Sequence, residues 1–162
     1  MDFQPLPYPS RHSGISAIKD TPDLKDIMSD LNGNMERTPI NPVSWSIELG
    51  FDQAELIEGH QRLLVCSAQD AMDADGNPQH PGDLAAQLEL SLDNLEAVLA
   101  AADMTLANVV RLNFYARDVD ELFKQFSRVN ERFGDSRYAT TVLGAGQLPA
   151  RFLVMLEATA VD

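Results

Sequence analysis

Two long segments in the middle of the chain repeat apolar residues every three or four positions. In residues 82–104 the leucines Leu84, Leu88, Leu92, Leu95 and Leu99 form one stripe, which is the spacing of an amphipathic helix. A second stripe begins after Asp118, a good helix N-cap, and ends at Gly134, a typical helix stop. The pattern predicts two helices, each with one face to bury.

Short runs with β-strand character surround these helices. Residues 43–50, 54–59 and 62–68 predict three antiparallel strands, residues 108–116 a fourth, and residues 139–146 and 152–161 two more. The last run is mostly apolar on both of its alternating faces, as expected for a strand covered on both sides. We therefore predict an α+β domain with a mixed six-stranded sheet and two helices on one face.

The two predicted helices can cover only one face of such a sheet. An apolar face left open would be a surface for aggregation, and the chain offers no further helix to close it. A second copy of the chain is the simplest cover, so the pattern predicts a homo-oligomer.

Composition adds a boundary and several exclusions. Residues 1–38 are rich in proline, glycine and polar residues, so we expect a partly disordered N-terminal extension before one domain at residues 39–162. The formal charge of −13 opposes binding to nucleic acid or to an anionic membrane. No run approaches the roughly 20 apolar residues of a membrane span, and we expect a soluble, cytoplasmic protein.

The cysteine, the histidines and one acidic turn are the possible sites of metal or thiol chemistry. None has the pattern of a known site, so we expect no cofactor and no metal. Cys66 lies in an apolar run and is expected to be a buried, inert thiol. The three histidines have no zinc spacing. Residues 73–78 begin like a calcium loop, but Pro78 stands where that loop needs glycine and Leu84 where it needs glutamate. A turn is expected there.

Several motifs together resemble the RidA (YjgF/YER057c) family over about residues 42–162. They are SAQ at 67–69, HPGDLAAQ at 80–87, LDNLEAVLAAADMTLANVVRLNFYARD at 92–118, and LP at 148–149 followed by LEATAV at 156–161. The resemblance implies a chorismate-mutase-like fold and a homotrimer with small-molecule pockets between subunits. It also implies hydrolysis of enamines or imines, with an arginine holding the substrate carboxylate and a glutamate positioning water.

This chain departs from the family pattern at the positions that carry that chemistry. The arginine falls on Thr140 and the water-positioning glutamate on Met155, while Glu157 matches a different family glutamate. An asparagine and a glycine of the pocket fall on Phe126 and Ala68. The resemblance therefore implies a pocket that is more apolar than usual and an atypical member.

The resemblance, with the neighbouring residues, defines a candidate substrate-binding set: Thr140, Thr141, Val142, Phe126, Met155, Ala68, Trp45 and Arg137. Arg137 is either a replacement for the missing arginine or a solvated loop charge, and Trp45 is either a pocket or a packing residue. The candidate acid/base Glu157 would have a raised pKa if buried, and a structural hydrogen bond is the alternative.

Two functions stay open. In the first, a RidA-like trimer binds or transforms a small, relatively apolar metabolite at its subunit interfaces, as an atypical deaminase, hydratase or tautomerase. In the second, the protein is a non-catalytic metabolite-binding, regulatory or chaperone-like member.

Overall fold

The computed structural model describes residues 35–162, and the rest of the predicted extension lies outside that range. In chain order the described elements are β1 Glu36–Ile40, α1 Trp45–Glu48, β2 Ala54–Glu58, β3 Leu63–Val65, α2 Leu84–Ala101, β4 Val109–Ala116, α3 Val119–Phe123, α4 Phe126–Phe133, β5 Ala139–Gly144 and β6 Val154–Val161. Within these residues no helix is both long and apolar enough to cross a membrane.

The strands form two sheets, which corrects the expected single sheet of six. A four-stranded sheet has the order β3-β6-β4-β5, with β4 and β5 parallel and the other pairs antiparallel, and β1 pairs with β2 in a separate antiparallel hairpin. The chain turns at Gly59 (φ +71°), and the backbone N–H groups of Gln61 and Arg62 then donate to the carbonyl of Asp162. β3 therefore joins β6 instead of β2.

The predicted strand at residues 43–50 is wrong. This segment contains the one-turn helix α1 and ends at Gly50, whose φ of +87° suits glycine. Ser46 is fully buried, while Trp45 and Ile47 are about half exposed. The strand-like alternation thus buries its polar side chain, and the partner of β2 is β1, whose first three residues belong to the predicted extension.

The first predicted helix is confirmed as α2, with the Asp83 carboxylate accepting a hydrogen bond from the Ala86 N–H at 3.0 Å. The second predicted helix is two helices, because the chain closes a tight turn through a bond from the Gln125 N–H to the Leu122 carbonyl. Asp118 caps α3 as expected, and Gly134, at φ +56°, follows α4.

Two smaller predictions are also confirmed. Residues 73–78 form a turn in which the Asp73 carboxylate accepts hydrogen bonds from the backbone of Asp75 and Asn77. Cys66 is buried, and burial raises the pKa of its thiol, so the thiolate is disfavoured.

The helices cover one face of the four-stranded sheet, which we call the helix face. Leu112, Phe114 and Leu156 point to this face and are fully buried in one apolar core with the leucine stripe of α2. The opposite side, the open face, carries the alternate residues of the same strands. There Val65 and Leu143 are more than half exposed. The described residues therefore leave the parts of this face around Val65 and Leu143 without an intrachain cover.

Candidate functional site

The open face carries a row of polar side chains across its three neighbouring strands. Thr141 of β5 pairs with Asn113 of β4, and Asn113 pairs with Glu157 of β6. Paired residues of neighbouring strands project to the same side of a sheet. The register therefore places the three side chains in one line.

Glu157 is the centre of a small hydrogen-bond network. Its Oε1 atom accepts a hydrogen bond from the Tyr115 hydroxyl at 2.7 Å and another from the Asn113 side-chain amide at 3.0 Å. These bonds, the one from Tyr115 first, favour the ionised form and lower the pKa of Glu157. The same contact raises the pKa of Tyr115. The raised pKa expected for a buried Glu157 does not apply, because the carboxylate is hydrogen-bonded and only partly buried.

A cleft of about 270 Å³ lies beside this network, lined by Val65, Cys66, Arg111, Asn113, Glu157, Ala158 and Thr159. Arg111 donates from Nε to the Asn113 Oδ1 atom at 3.3 Å. Among the described residues, its two terminal nitrogens have no hydrogen-bond partner, and neither has the Glu157 Oε2 atom. The cleft therefore presents donors and an acceptor to a small molecule.

The surroundings of this polar centre are apolar. Val65 is 71% exposed and Leu63 is 58% exposed on β3, and Leu143 is exposed at the other edge of the sheet. Met155 packs with Tyr115 in a second small apolar cluster. An ionised carboxylate can orient a ligand N–H or O–H group and accept a proton from it, but it cannot serve as a proton donor. The site suits a largely apolar molecule with a polar end.

Three residues of the predicted set lie on the helix face instead. The Thr140 hydroxyl donates to the Leu112 carbonyl at 2.6 Å. Val142 packs against the main core, and so does Phe126, whose ring is 5.3 Å from that of Phe114. The structure does not bring these side chains together with Glu157.

Three other predicted residues do lie near the cleft. Thr141 shares the row of Glu157, and Met155 precedes it on the same face of β6. The backbone of Cys66 bonds to Ala158 and that of Gln69 bonds to Leu156. Ala68 therefore lies in the short segment that passes Glu157.

Trp45 and Arg137 belong to a different region. Trp45 packs edge-on against Phe51 with ring centres 5.6 Å apart. Arg137 pairs through Nε with the Asp52 carboxylate at 3.0 Å and donates to the Phe51 carbonyl at 2.7 Å. Asp52 is buried, so Arg137 balances its charge and attaches the α1 segment to the start of β5.

Arg111, Asn113 and Tyr115 were not in the predicted set, although they form most of the polar site. All three lie at alternate positions of β4. The signal that could have found them is this alternation of polar residues within an otherwise apolar strand. Their meeting with Glu157 depends on the register between β4 and β6, which the sequence does not state.

Comparison with known proteins gives one matching family model, described as endoribonuclease L-PSP, over residues 51–162. The chain is 32% identical over 115 residues to the protein mmf2, mitochondrial, of Schizosaccharomyces pombe, covering 71% of this chain and 87% of that protein. It is also 29% identical over 85 residues to the 2-iminobutanoate/2-iminopropanoate deaminase of Escherichia coli, covering 50% of this chain and 66% of that enzyme.

A solved structure extends the similarity to the fold. The protein of unknown function YyfB of the conserved Rid protein family, from Yersinia pestis, superposes with a TM-score of 0.68 at 29% identity. The match covers 80% of this chain and 99% of that chain. The mixed sheet with helices on one face is therefore the fold of that family.

Proposed function

Because the chain belongs to the RidA (YjgF) family, whose model is described as endoribonuclease L-PSP, we propose that it is a homotrimer that binds a small, relatively apolar metabolite in pockets between subunits. The observation that carries the proposal is the open face, where the cleft of Arg111, Asn113 and Glu157 lies among exposed apolar side chains. A second subunit on this face would bury the apolar rim and enclose the cleft.

We further propose that the protein does not perform the standard imine hydrolysis of its deaminase relatives. Thr140 replaces the arginine of the family pattern, and its hydroxyl donates a hydrogen bond to the Leu112 carbonyl. Met155 replaces the glutamate and packs in an apolar cluster. A hydrogen bond to a charged group contributes about 1.5–3 kcal/mol, and general acid/base catalysis contributes roughly a hundredfold or more. Loss of both groups favours a binding or regulatory role over deamination.

Ribonuclease activity finds no support in the electrostatics of the chain. The formal charge of −13 repels a polyanion, and an ionised glutamate, Glu157, lines the cleft together with its arginine. The cytoplasmic location stays a prediction, and the similar protein of Schizosaccharomyces pombe is described as mitochondrial.

An imine hydrolysis assay tests the catalytic half of the proposal. With 2-iminobutanoate generated in the assay, we expect the wild type to be at least a hundredfold slower than the Escherichia coli deaminase assayed in parallel. A rate equal to that of the deaminase would contradict the proposal. The Thr140→Arg, Met155→Glu double variant is informative in addition, because the two side chains lie on opposite faces of the sheet and we expect no full recovery.

A titration with butanoate, which has one carboxylate and a short apolar tail, tests the binding half. We expect saturable binding that Arg111→Gln weakens about tenfold, because the variant removes the cation of the cleft. Arg128→Gln is the matched control, since Arg128 pairs with Glu89 on the helix side. Absence of saturable binding, or equal weakening by both variants, would contradict this site.

A further inference from the structure

A second cavity lies where β4 ends and the loop of residues 145–153 passes over it. It has a volume of about 370 Å³ and is lined by Arg117, Gly146, Gln147, Leu148 and Arg151. None of these residues lines the open-face cleft. We propose that this cavity binds a small oxyanion, a carboxylate or a phosphate, between the guanidinium groups of Arg117 and Arg151.

The charge environment of the two arginines is the first argument. Residues 35–162 contain nine lysines and arginines, and six of them form salt bridges within that range. Arg117 and Arg151 have no salt bridge and no side-chain hydrogen bond to any described residue. In a chain with 25 acidic side chains, two such guanidinium groups on one cavity leave positive charge for a ligand to neutralise.

The acidic residues that line an adjoining cavity together with Arg117 form contacts elsewhere. That cavity is lined by Arg117, Asp83, Asp118 and Glu121, among others. The Asp83 and Asp118 carboxylates accept the capping hydrogen bonds of α2 and α3, and Glu121 pairs with Lys124. None of the three approaches Arg117 closely enough to form an ion pair. Among residues 35–162, these carboxylates therefore leave Arg117 available to an added ligand.

The loop is held in place on both sides of Arg117. The Arg117 N–H donates to the Leu153 carbonyl at 2.9 Å, and the Ala145 N–H donates to the Ala116 carbonyl at 2.8 Å. Leu148 and Phe152 are buried and attach the loop to the sheet. A site that is already ordered before binding loses little conformational entropy when the ligand arrives.

The backbone of the loop is strained at Arg151 and at the residue before it. Ala150 and Arg151 both have left-handed φ angles, +48° and +61°, a conformation that is unfavourable for non-glycine residues and occurs often at ligand-binding positions. The backbone N–H groups of Gly146 and Gln147 also have no acceptor among the described residues. Because both residues line the cavity, these N–H groups are further donors available to an anion.

The planar fork of arginine matches carboxylate and phosphate oxygens in a bidentate way. Two such forks on one cavity favour a ligand with two negative charges. Succinate and inorganic phosphate are therefore suitable probes. The probe that binds with the higher affinity indicates whether the site prefers a carboxylate or a phosphate.

Calorimetric titration of the full chain at low salt tests the site. We expect saturable binding of at least one probe, and we expect Arg117→Gln and Arg151→Gln each to weaken it about tenfold or more. Arg151→Lys keeps the charge but loses the fork and should lie between. Arg128→Gln, at an exposed and ion-paired arginine, should change the affinity less than twofold.

Three results would overturn the proposal. They are no saturable binding of either probe to the wild type, unchanged affinity in both cavity variants, and an equal loss in Arg128→Gln. Arg117 and Arg151 are exposed, so the variants should keep the wild-type unfolding temperature. If one of the two glutamine variants unfolds at a lower temperature than the wild type, the lysine variant at the same position is used instead. An affinity equal to that of the wild type in this lysine variant would contradict the role of the guanidinium group.

Discussion

The two faces of the four-stranded sheet are built from alternate residues of the same strands, yet they are closed in different ways. On the helix face Leu112, Phe114 and Leu156 are fully buried by the chain's own helices. On the open face Val65 is 71% exposed, and Glu157 forms its polar network with Tyr115 and Asn113. The helix face is thus completed by folding, and the open face is the one available for a partner and a ligand.

The comparison separates stability from association. Contacts on the helix face form within one chain, so they should determine the free energy of unfolding of each protomer. Contacts on the open face, under the proposed trimer, should depend on protein concentration, because mass action links association to stability. Substitutions on the helix face should therefore change the free energy of unfolding of the protomer, whereas substitutions on the open face should change the association of subunits.

The largest effect is expected from a cavity on the helix face. Phe114→Ala removes a fully buried ring and should lower the free energy of unfolding by about 3–5 kcal/mol. Denaturant unfolding at two protein concentrations measures it. The loss should be the same at both, and a loss that appears only at the higher concentration would assign Phe114 to a subunit contact.

A charge placed on the open face should separate the subunits. Val65→Asp puts a carboxylate on a face that we expect to be covered, and burying an unpaired charge costs several kcal/mol. Sedimentation analysis should show an association constant reduced by roughly a hundredfold or more. Ala97→Asp, on an exposed position of α2, is the matched control, and dissociation of both variants would remove the distinction between the faces.

A smaller truncation on the open face gives a graded version of the same test. Leu143→Ala removes an apolar side chain that is 52% exposed in the single chain. Thermal unfolding should show a loss of about 1–2 kcal/mol at high protein concentration, and this loss should shrink on dilution, because dissociated protomers lack the contact. A loss independent of concentration would contradict burial of Leu143 by a second subunit.

The smallest effect concerns the ionisation of Glu157. Its pKa is lowered in the folded state, so its hydrogen bonds stabilise the protein fully above about pH 4.5 and lose this effect as the pH falls through the lowered pKa. Glu157→Gln should cost about 1 kcal/mol at neutral pH and flatten the stability profile below pH 4.5. A profile as steep as that of the wild type would mean that another carboxylate causes the acid dependence.

The same variant should lower the pKa of Tyr115, because the hydrogen bond to the Glu157 carboxylate, together with its negative charge, raises this pKa in the wild type. Absorbance titration of tyrosine ionisation measures this change. An unchanged set of tyrosine pKa values would show that the bond between the two side chains does not persist in solution.

The helices and most strands could be predicted because their signals are local. The leucines of α2 lie within one segment, as do the cap at Asp118 and the helix that it begins. The alternation along β6 likewise indicates which residues lie on each of its two faces. The prediction for residues 43–50 was wrong because the same alternation of polar and apolar residues fits a β-strand and a short helical turn that buries Ser46. The resemblance to the RidA family identified the fold for the same reason, through motifs that are contiguous in sequence.

The site depended on information that is not local. Asn113 and Glu157 are far apart in the sequence and meet only through the register of β4 and β6. From the sequence, Arg137 could be either a ligand-binding residue or a solvated loop residue. The structure shows that it pairs with the buried Asp52. Thr140 and Met155 were singled out together by position, but their side chains lie on opposite faces of the sheet.

The oligomeric state of the full chain tests the central claim most directly, since both the covered face and the enclosed cleft depend on it. Native mass spectrometry at neutral pH should give a complex of three times the 17.8 kDa chain mass, and Val65→Asp should reduce it. A wild-type chain that remains a monomer at micromolar concentration would contradict the account.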